Sequence, residues 1–354
     1  MDPNISGLVA YPGKFSQQLL SKLYFTLMQM TRGFLPMYGV KNKVTLSKLL
    51  ISSGLKPFTG AWVAKEDVAF SSRTISTSKA QRDLQLKPDQ FRATWMAEQM
   101  GKGSGANNQV IPYAAFFWEK VIQSIVTELV TQCIYYGVGQ AAFIPYEATA
   151  VYAVGDLITY TQAGELRYFQ CAAITTAGQN PDTNVVKWTY AGAKALCKGL
   201  ASFFADDVNA GLLTPVSTGV ITNSTAYAQF ISMWRSLPIQ VRDEGAIVHC
   251  SYNSLDCLQD DFENKVSKYF ETIDNITYLS KTDRKCIVQP QVWLGNSGKL
   301  IATKPDNLVL ATDELSDMND IRTVPAMYSI NAGITFLLGI NYQDEQVLRI
   351  NDQP

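Results

Sequence analysis

His249 is the only histidine of the chain, and it stands inside the apolar run AIVHC. A lone imidazole in such a run reads as a core residue with a satisfied hydrogen bond rather than a catalytic base. One histidine also excludes any metal centre that needs two or three imidazoles. A Ser-His-Asp arrangement would have to use His249, and no G-x-S-x-G elbow is present to present the nucleophile. GKGSG (Gly101–Gly105) lies just before a helical stretch, where backbone N–H groups can cradle a phosphate. Lys102 follows the first glycine rather than the last, so the P-loop order is absent and the segment reads as a linker. Asp206-Asp207 and Asp260-Asp261 pair carboxylates, but glycoside hydrolysis needs them ~5 Å or more apart across a cleft. Both pairs fall on polar helix faces and read as solvated surface. Asp313, Glu314, Asp317 and Asp320 in TDELSDMND could attract a cation, yet Arg322 occupies the sixth position, where an EF-hand loop requires glycine. The residues thus predict no catalytic group, no metal and no cofactor.

Six cysteines (Cys133, Cys171, Cys197, Cys250, Cys257, Cys286) are scattered without C-x-x-C spacing. With an N-terminus, MDPNISGLVAYPG, that is not a secretory signal, they predict an intracellular, reducing origin and no disulfides. Of the 354 residues, 17% are charged against an average of roughly 25%, and 47% are hydrophobic. No apolar run approaches the ~18 residues of a membrane span. Low charge without such a span suggests surface hidden in a large assembly, and a net charge of −1 leaves no basic footprint for tight nucleic-acid binding.

The element that must position everything else is Ile111–Tyr136. From Val121 the pairs Val121-Ile122, Ile125-Val126, Leu129-Val130 and Cys133-Ile134 are apolar, and the pairs between them are polar. Residues four apart share a helical face, so this is one long amphipathic helix, with Gly137 and Gly139 as its stop. Its polar face is mostly Gln, Ser and Thr, with only Glu119, Lys120 and Glu128 charged, which suits another protein surface and open water equally.

Around it, residues 1–14 read as a loose arm, Phe15–Met30 as a helix, and Leu46–Ile51 as a second short helical stretch. Ala61–Phe70 and Arg82–Trp95 are extended candidates joined by a polar tip, SSRTISTSKAQ, giving a long hairpin that needs a partner surface. Tyr146–Tyr190 is an island of short strands, a small all-β insert. Leu196–Val208 and the run around Phe230 are helical, and Leu255–Ile273 forms another helix with Asp261 and Lys265 paired outside. Ile287–Leu294 and Lys299–Thr303 form a hairpin, and Leu308–Thr312, Ser329–Ile340 and Val347–Ile350 are strands. The order is α+β without βαβ alternation.

This order, together with FSSRTISTSKAQRDLQLKPDQFRATW (70–95) and KPDNLVLATDELSDMNDIRT (304–323), resembles the major capsid proteins of tailed bacteriophages, the Hong Kong 97-type fold, close to those of crAss-like and related phages. The resemblance implies an N-terminal arm (1–55), an extended hairpin loop (56–105) and a peripheral domain with its spine helix (106–145). It further implies an inserted β domain (146–190), an axial domain with peripheral strands (191–328) and returning strands (329–354). It implies a non-catalytic shell subunit, found in the virion and assembled in the bacterial host cytoplasm. Its partners would be further copies of itself in hexamers and pentamers, the portal, auxiliary or decoration proteins, and double-stranded DNA held by non-specific proximity, with no membrane. Gln123, Thr127, Arg73 and Lys79 are the expected inter-subunit contacts. The island, YAVGDLITY…RYFQCAAITTAGQNPDTNVVKW, resembles chitin-binding-type carbohydrate modules through Tyr152, Gly155, Asp156, Tyr160, Tyr168, Gly178, Pro181 and Trp188, although PYEATA stands where that family opens with Trp. Glycan contact through Tyr152, Tyr160, Tyr168 and Trp188 follows as an expectation. Alternatives from other classes are a carbohydrate-binding or carbohydrate-active protein, and a phage tail component with a glycan-binding insert.

Overall fold

The computed structural model describes residues 5–51, 57–58, 68–87, 113–263, 270–273, 276–313, 320–325 and 329–354. The apolar pairs of the spine do what their period demands. Helix α2 (Tyr113–Glu128) runs into a π-helical turn, Leu129–Cys133, and buries Trp118, Ile122, Ile125, Val126, Leu129, Val130 and Cys133. Across it lies α1 (Ile5–Met30), which contributes Leu19, Leu20, Leu23, Tyr24 and Leu27 to the same core. Residues 5–14 are therefore helical rather than a loose arm, and the helix breaks only at Phe15 (φ −124°, ψ 18°), just beyond Pro12 and Gly13. Proline lacks the donor that an unbroken helix would use there.

The other side of this core is a five-stranded sheet. Its centre is β16 (Ile330–Tyr342), antiparallel to β14 (Leu308–Ala311), β15 (Asp320–Pro325) and β4 (Ser78–Leu86). Strand β1 (Phe34–Met37) pairs in parallel with β14, Phe34 facing Leu308. A second, six-stranded sheet carries the other half of the molecule in the order β10 (Phe270–Ile273), β11 (Ile276–Leu279), β12 (Cys286–Pro290), β9 (Ala246–Cys250), β13 (Ile301–Thr303) and β17 (Leu348–Ile350). Helices α4 (Ala226–Ser236) and α6 (Tyr252–Glu263) cover it, and α3 (Leu200–Asn209) and α5 (Ile239–Glu244) complete the α-helices of the described residues.

Several expectations are corrected by pairings with distant partners. Leu46–Ile51 is not helical but lies in β2 (Lys43–Ile51), antiparallel to β3 (Val68–Ser76). The polar stretch SSRTISTSKAQ is not a tip. It fills the ends of β3 and β4, which break only at Thr77 and then diverge, β3 to β2 and β4 to β16. Its alternation buries Ile75 and Ala80, turns Arg73 inward beside Ile75 and leaves Ser72, Thr74, Ser76 and Lys79 exposed. Strands β12 and β13 are not a hairpin, because β9 lies between them, parallel to one and antiparallel to the other. Phe270 and Ile273 are in a strand rather than in the helix of Leu255. Asp261 is buried, where its carboxylate accepts the Tyr227 N–H at 3.0 Å, so it does not face outward. The GKGSG linker and Glu314–Asn319 of the acidic loop lie outside the described residues.

The island closes on itself as expected. Strands β5 (Ile144–Pro145), β6 (Leu157–Gln162), β7 (Glu165–Cys171) and β8 (Trp188–Tyr190) form a four-stranded sheet over a core of Tyr152, Ile158, Phe169, Cys171 and Trp188.

Candidate functional site

Two parts form sheets apart from the two large ones, the β2–β3 ribbon and the insert that follows the spine in the chain. The ribbon's root is polar. Alternation along β3 turns Arg73 inward with Ile75, and its guanidinium lies 3.7 Å over the Tyr342 ring. Arg73 donates through Nε to Asn341 Oδ1 at 3.0 Å and through Nη2 to Asp207. The Tyr342 hydroxyl donates to the same Asp207 oxygen, and Asn341 Nδ2 donates to the Thr74 carbonyl at 2.9 Å. Burial, and then the hydrogen bond to Asp207, hold the Tyr342 phenol well above its ordinary pKa. With side chains 16% and 12% exposed, Arg73 and Asp207 form a largely desolvated ion pair. Asp207 is thus part of a lock, not solvated surface as expected, whereas its neighbour Asp206 is exposed and pairs with Lys198 at 2.7 Å. Lys48 adds an ion pair to Asp344 at 2.6 Å. The sequence signal for this lock is thin: Asn341 and Tyr342 end the apolar run GITFLLGI, and nothing ties them to Asp207.

On the spine, Gln123 and Thr127 are exposed. The hydroxyls of Thr127 and Thr131 donate to the carbonyls one turn back, Gln123 and Thr127, each at 2.8 Å. Both hydroxyls are thus satisfied within the helix, so covering them would strand no donor there. The charges at its margins are engaged, Glu128 by Arg82 and Glu119 by Lys22. Lys79 is exposed on the rim of a cleft of about 830 Å³ that separates β4 and the spine from the insert.

In the insert, two of the four expected sugar contacts are core residues. Tyr152 and Trp188 are buried with ring centroids 5.4 Å apart, and Trp188 Nε1 donates to the Gln179 carbonyl at 3.1 Å. Neither ring has an open face for a sugar, because a core this small needs both. Tyr160 and Tyr168 are half-buried: the first donates its hydroxyl to Asp182 at 2.9 Å, the second packs edge-on to Phe143 at 5.1 Å.

His249 is fully buried, as its apolar run implies. Gln291 Nε2 lies 3.0 Å from its Nδ1, and burial lowers its pKa to about 3, so the ring is neutral. Among the described residues no group of three or more His, Cys, Asp or Glu side chains stands together to hold a metal ion. No helix of the described residues is long and apolar enough to cross a membrane.

A kinked helix and a long spine packed on one sheet, a two-stranded ribbon apart from it, and a second, six-stranded sheet define the architecture of the Hong Kong 97-type fold. Solved structures agree. The chain is similar to one of the satellite phage P4 procapsid that includes the size determination (Sid) protein, with TM-score 0.52 and 10% identity over 94% of this chain and 89% of that one. Weaker likenesses, on which nothing here rests, are to the capsid of the empty GTA particle (TM-score 0.47, 10% identity, 92% and 88% covered) and to the holo-SrpI encapsulin complex of Synechococcus elongatus PCC 7942 (TM-score 0.45, 8% identity, 92% and 86% covered). No protein-family model matches the sequence, and no curated relative matches it. The fold is therefore the Hong Kong 97-type capsid fold, and at this identity the likeness defines the fold alone.

Proposed function

We propose that the chain is a shell-forming structural subunit, the major capsid protein of a tailed bacteriophage, which assembles with copies of itself into a closed icosahedral shell around double-stranded DNA. The observation that carries this reading is the Hong Kong 97-type fold together with a ribbon whose described side chains form no core beyond its locked root. Such a ribbon is suited to lie on a neighbouring subunit. The exposed residues Gln123, Thr127 and Lys79 are the contacts we assign to neighbours, whereas Arg73 is engaged within its own chain. Hexamers and pentamers, a portal, auxiliary proteins, a place in the virion and assembly in the host cytoplasm belong to the same reading. Glycan adhesion by the insert would have to use Tyr160 and Tyr168, since Tyr152 and Trp188 are core.

The test is negative-stain imaging of the purified chain at assembly concentrations, alongside Gln123→Glu and Thr127→Glu. Closed shells or capsomers are expected for the parent, with fewer for the folded variants, because a buried charge needs a partner. Tubes or spikes would move the chain to a tail, and small globular particles would favour a carbohydrate-binding protein.

A further inference from the structure

The insert joins the body through a neck of two backbones. Val138 and Gly139 donate to the Lys194 carbonyl at 2.9 and 3.1 Å, and Val138 bridges Lys198. Gly199 donates to Gly137 at 2.9 Å, Leu200 to Ile134 at 3.0 Å, and Ala201 to Tyr135 at 3.1 Å. Two glycines permit this approach. A Cβ on Gly137 would meet the Cys197 carbonyl oxygen at 2.4 Å, and one on Gly199 would meet the Cys133 carbonyl oxygen at 2.6 Å. At the foot of the neck the side chains of Cys133 and Cys197, 64 residues apart, meet with their sulfurs 3.4 Å from each other, both free and both buried. No second thiol pair lies within hydrogen-bonding reach among the described residues: Cys171 donates to carbonyls, and Cys250 and Cys286 lie at opposite ends of the paired strands β9 and β12.

We infer that Cys133 and Cys197 are a site of reversible oxidation, a latent disulfide that covalently closes the neck beneath the insert. From the contact of 3.4 Å, a bond of ~2.0 Å asks for about 1.4 Å of closure, within the reach of side-chain rotation when no atom lies between the sulfurs. The bond would form between segments already held in register by the neck's hydrogen bonds, and would enclose the entire insert in one covalent loop.

A small peroxide supplies the oxidant. Cys197, the less buried of the two, ionises to solvent, and its thiolate attacks one peroxide oxygen. The O–O bond breaks, a sulfenic acid forms, and the departing hydroxide takes up the thiol's proton as water. The Cys133 sulfur then attacks the sulfenic sulfur. The S–S bond forms, the S–O bond breaks, and the hydroxide leaves with the Cys133 proton as a second water. Two thiols lose two electrons, and one peroxide gains them. Hydrogen bonding to Cys133, and then burial, raise the Cys197 thiol well above its ordinary range, so the step is slower than oxidation of the part-exposed Cys257.

The experiment uses the purified full chain, whether or not it assembles, so its outcome is independent of the shell proposal. The chain is treated with hydrogen peroxide, blocked with N-ethylmaleimide during denaturation, digested without reductant and mapped by mass spectrometry. The expected product is a linked Cys133–Cys197 peptide that disappears on reduction, with a melting temperature raised by peroxide in the parent but not in Cys197→Ser. Recovery of both cysteines as maleimide adducts while Cys257 is oxidised would overturn the inference. So would linkage of either to a different cysteine, or conversion to sulfinic acid without a linked peptide.

Discussion

The insert and the β2–β3 ribbon each form a sheet apart from the two large ones, and they are held by opposite means. The insert carries its own apolar centre, with Tyr152, Ile158, Phe169, Cys171 and Trp188 buried among themselves, and it stands across a cleft from β4. Among the ribbon's described side chains apolar burial is confined to its root, where Val44, Leu46 and Ile75 pack on Val40, Val309 and Ala311. Farther out, Leu49 is half exposed, and the direction of the ribbon is set by the polar lock of Arg73, Asp207, Asn341 and Tyr342. A two-stranded ribbon is marginal alone in water. One is thus a self-sufficient module, and the other is tied to the body through a polar lock.

The largest test of this contrast is Trp188→Ala. Loss of a buried Trp costs about 3–5 kcal/mol, which so small a core cannot absorb. The insert should melt while the body stays folded, read as protease cleavage and rapid hydrogen exchange confined to 144–190. Loss of the body's transition as well would show that the two share one cooperative unit.

Asp207→Ala addresses the ribbon. Removing one partner of a desolvated pair leaves Arg73 uncompensated and costs about 3 kcal/mol. Here the loss should fall on the body, lowering the midpoint of denaturant unfolding and exposing β3 to exchange, with the insert's transition unmoved. An unchanged midpoint would mean that the ribbon's apolar root, not the lock, holds it.

The two regions also differ in how far the sequence discloses them. The insert is legible because its partners are near in sequence: β6 and β7 are joined by a tight turn, and the aromatic residues of its core lie within the same island. The spine is legible because period alone selects a helix. The ribbon is not, because β3 and β4 take partners on opposite sides, one of them in β16 near the far end of the chain, and these pairings override the turn-like composition of Ser71–Gln81. Asp207 is hidden for a related reason: beside Asp206 it looks like half of a solvated pair, and only the fold brings Arg73 and Tyr342 to it. The π-helical turn at Leu129–Cys133 leaves no trace in the apolar pairing that predicts a continuous helix.

Acid separates body from insert in a third way, because the only histidine lies in the body. His249 is held at about 3 in the folded state against an ordinary 6.5, by burial. The unfolded chain therefore binds the extra proton, so stability is complete above 6.5 and is lost as pH falls from there toward 3. From neutral pH to about pH 5 the body should lose about 2 kcal/mol, and His249→Gln should flatten that slope, as read by denaturant midpoints across pH. The melting of the insert, which has no histidine, should not share this histidine-dependent slope. An identical slope in parent and variant would place the acid response elsewhere.

The smallest effect on the body is expected from removing the insert altogether, provided that the cut respects the neck. Replacing 146–190 leaves Ile144–Pro145 without its partner β6 and uncovers Phe143, which packs on Tyr168. That version should fold but aggregate. A cut from 140 to 193 removes these residues together and keeps the bonds from Val138 and Gly139 to Lys194, whose closeness lets a short Gly/Ser bridge span the gap. Exposed sites whose ends lie close together tolerate such exchange. The body's melting temperature should then match the parent's, and shells, where the parent forms them, should still close. A clear drop in the midpoint for the 140–193 replacement would show that the insert braces the spine across the cleft, and that the two regions are not built on opposite principles after all.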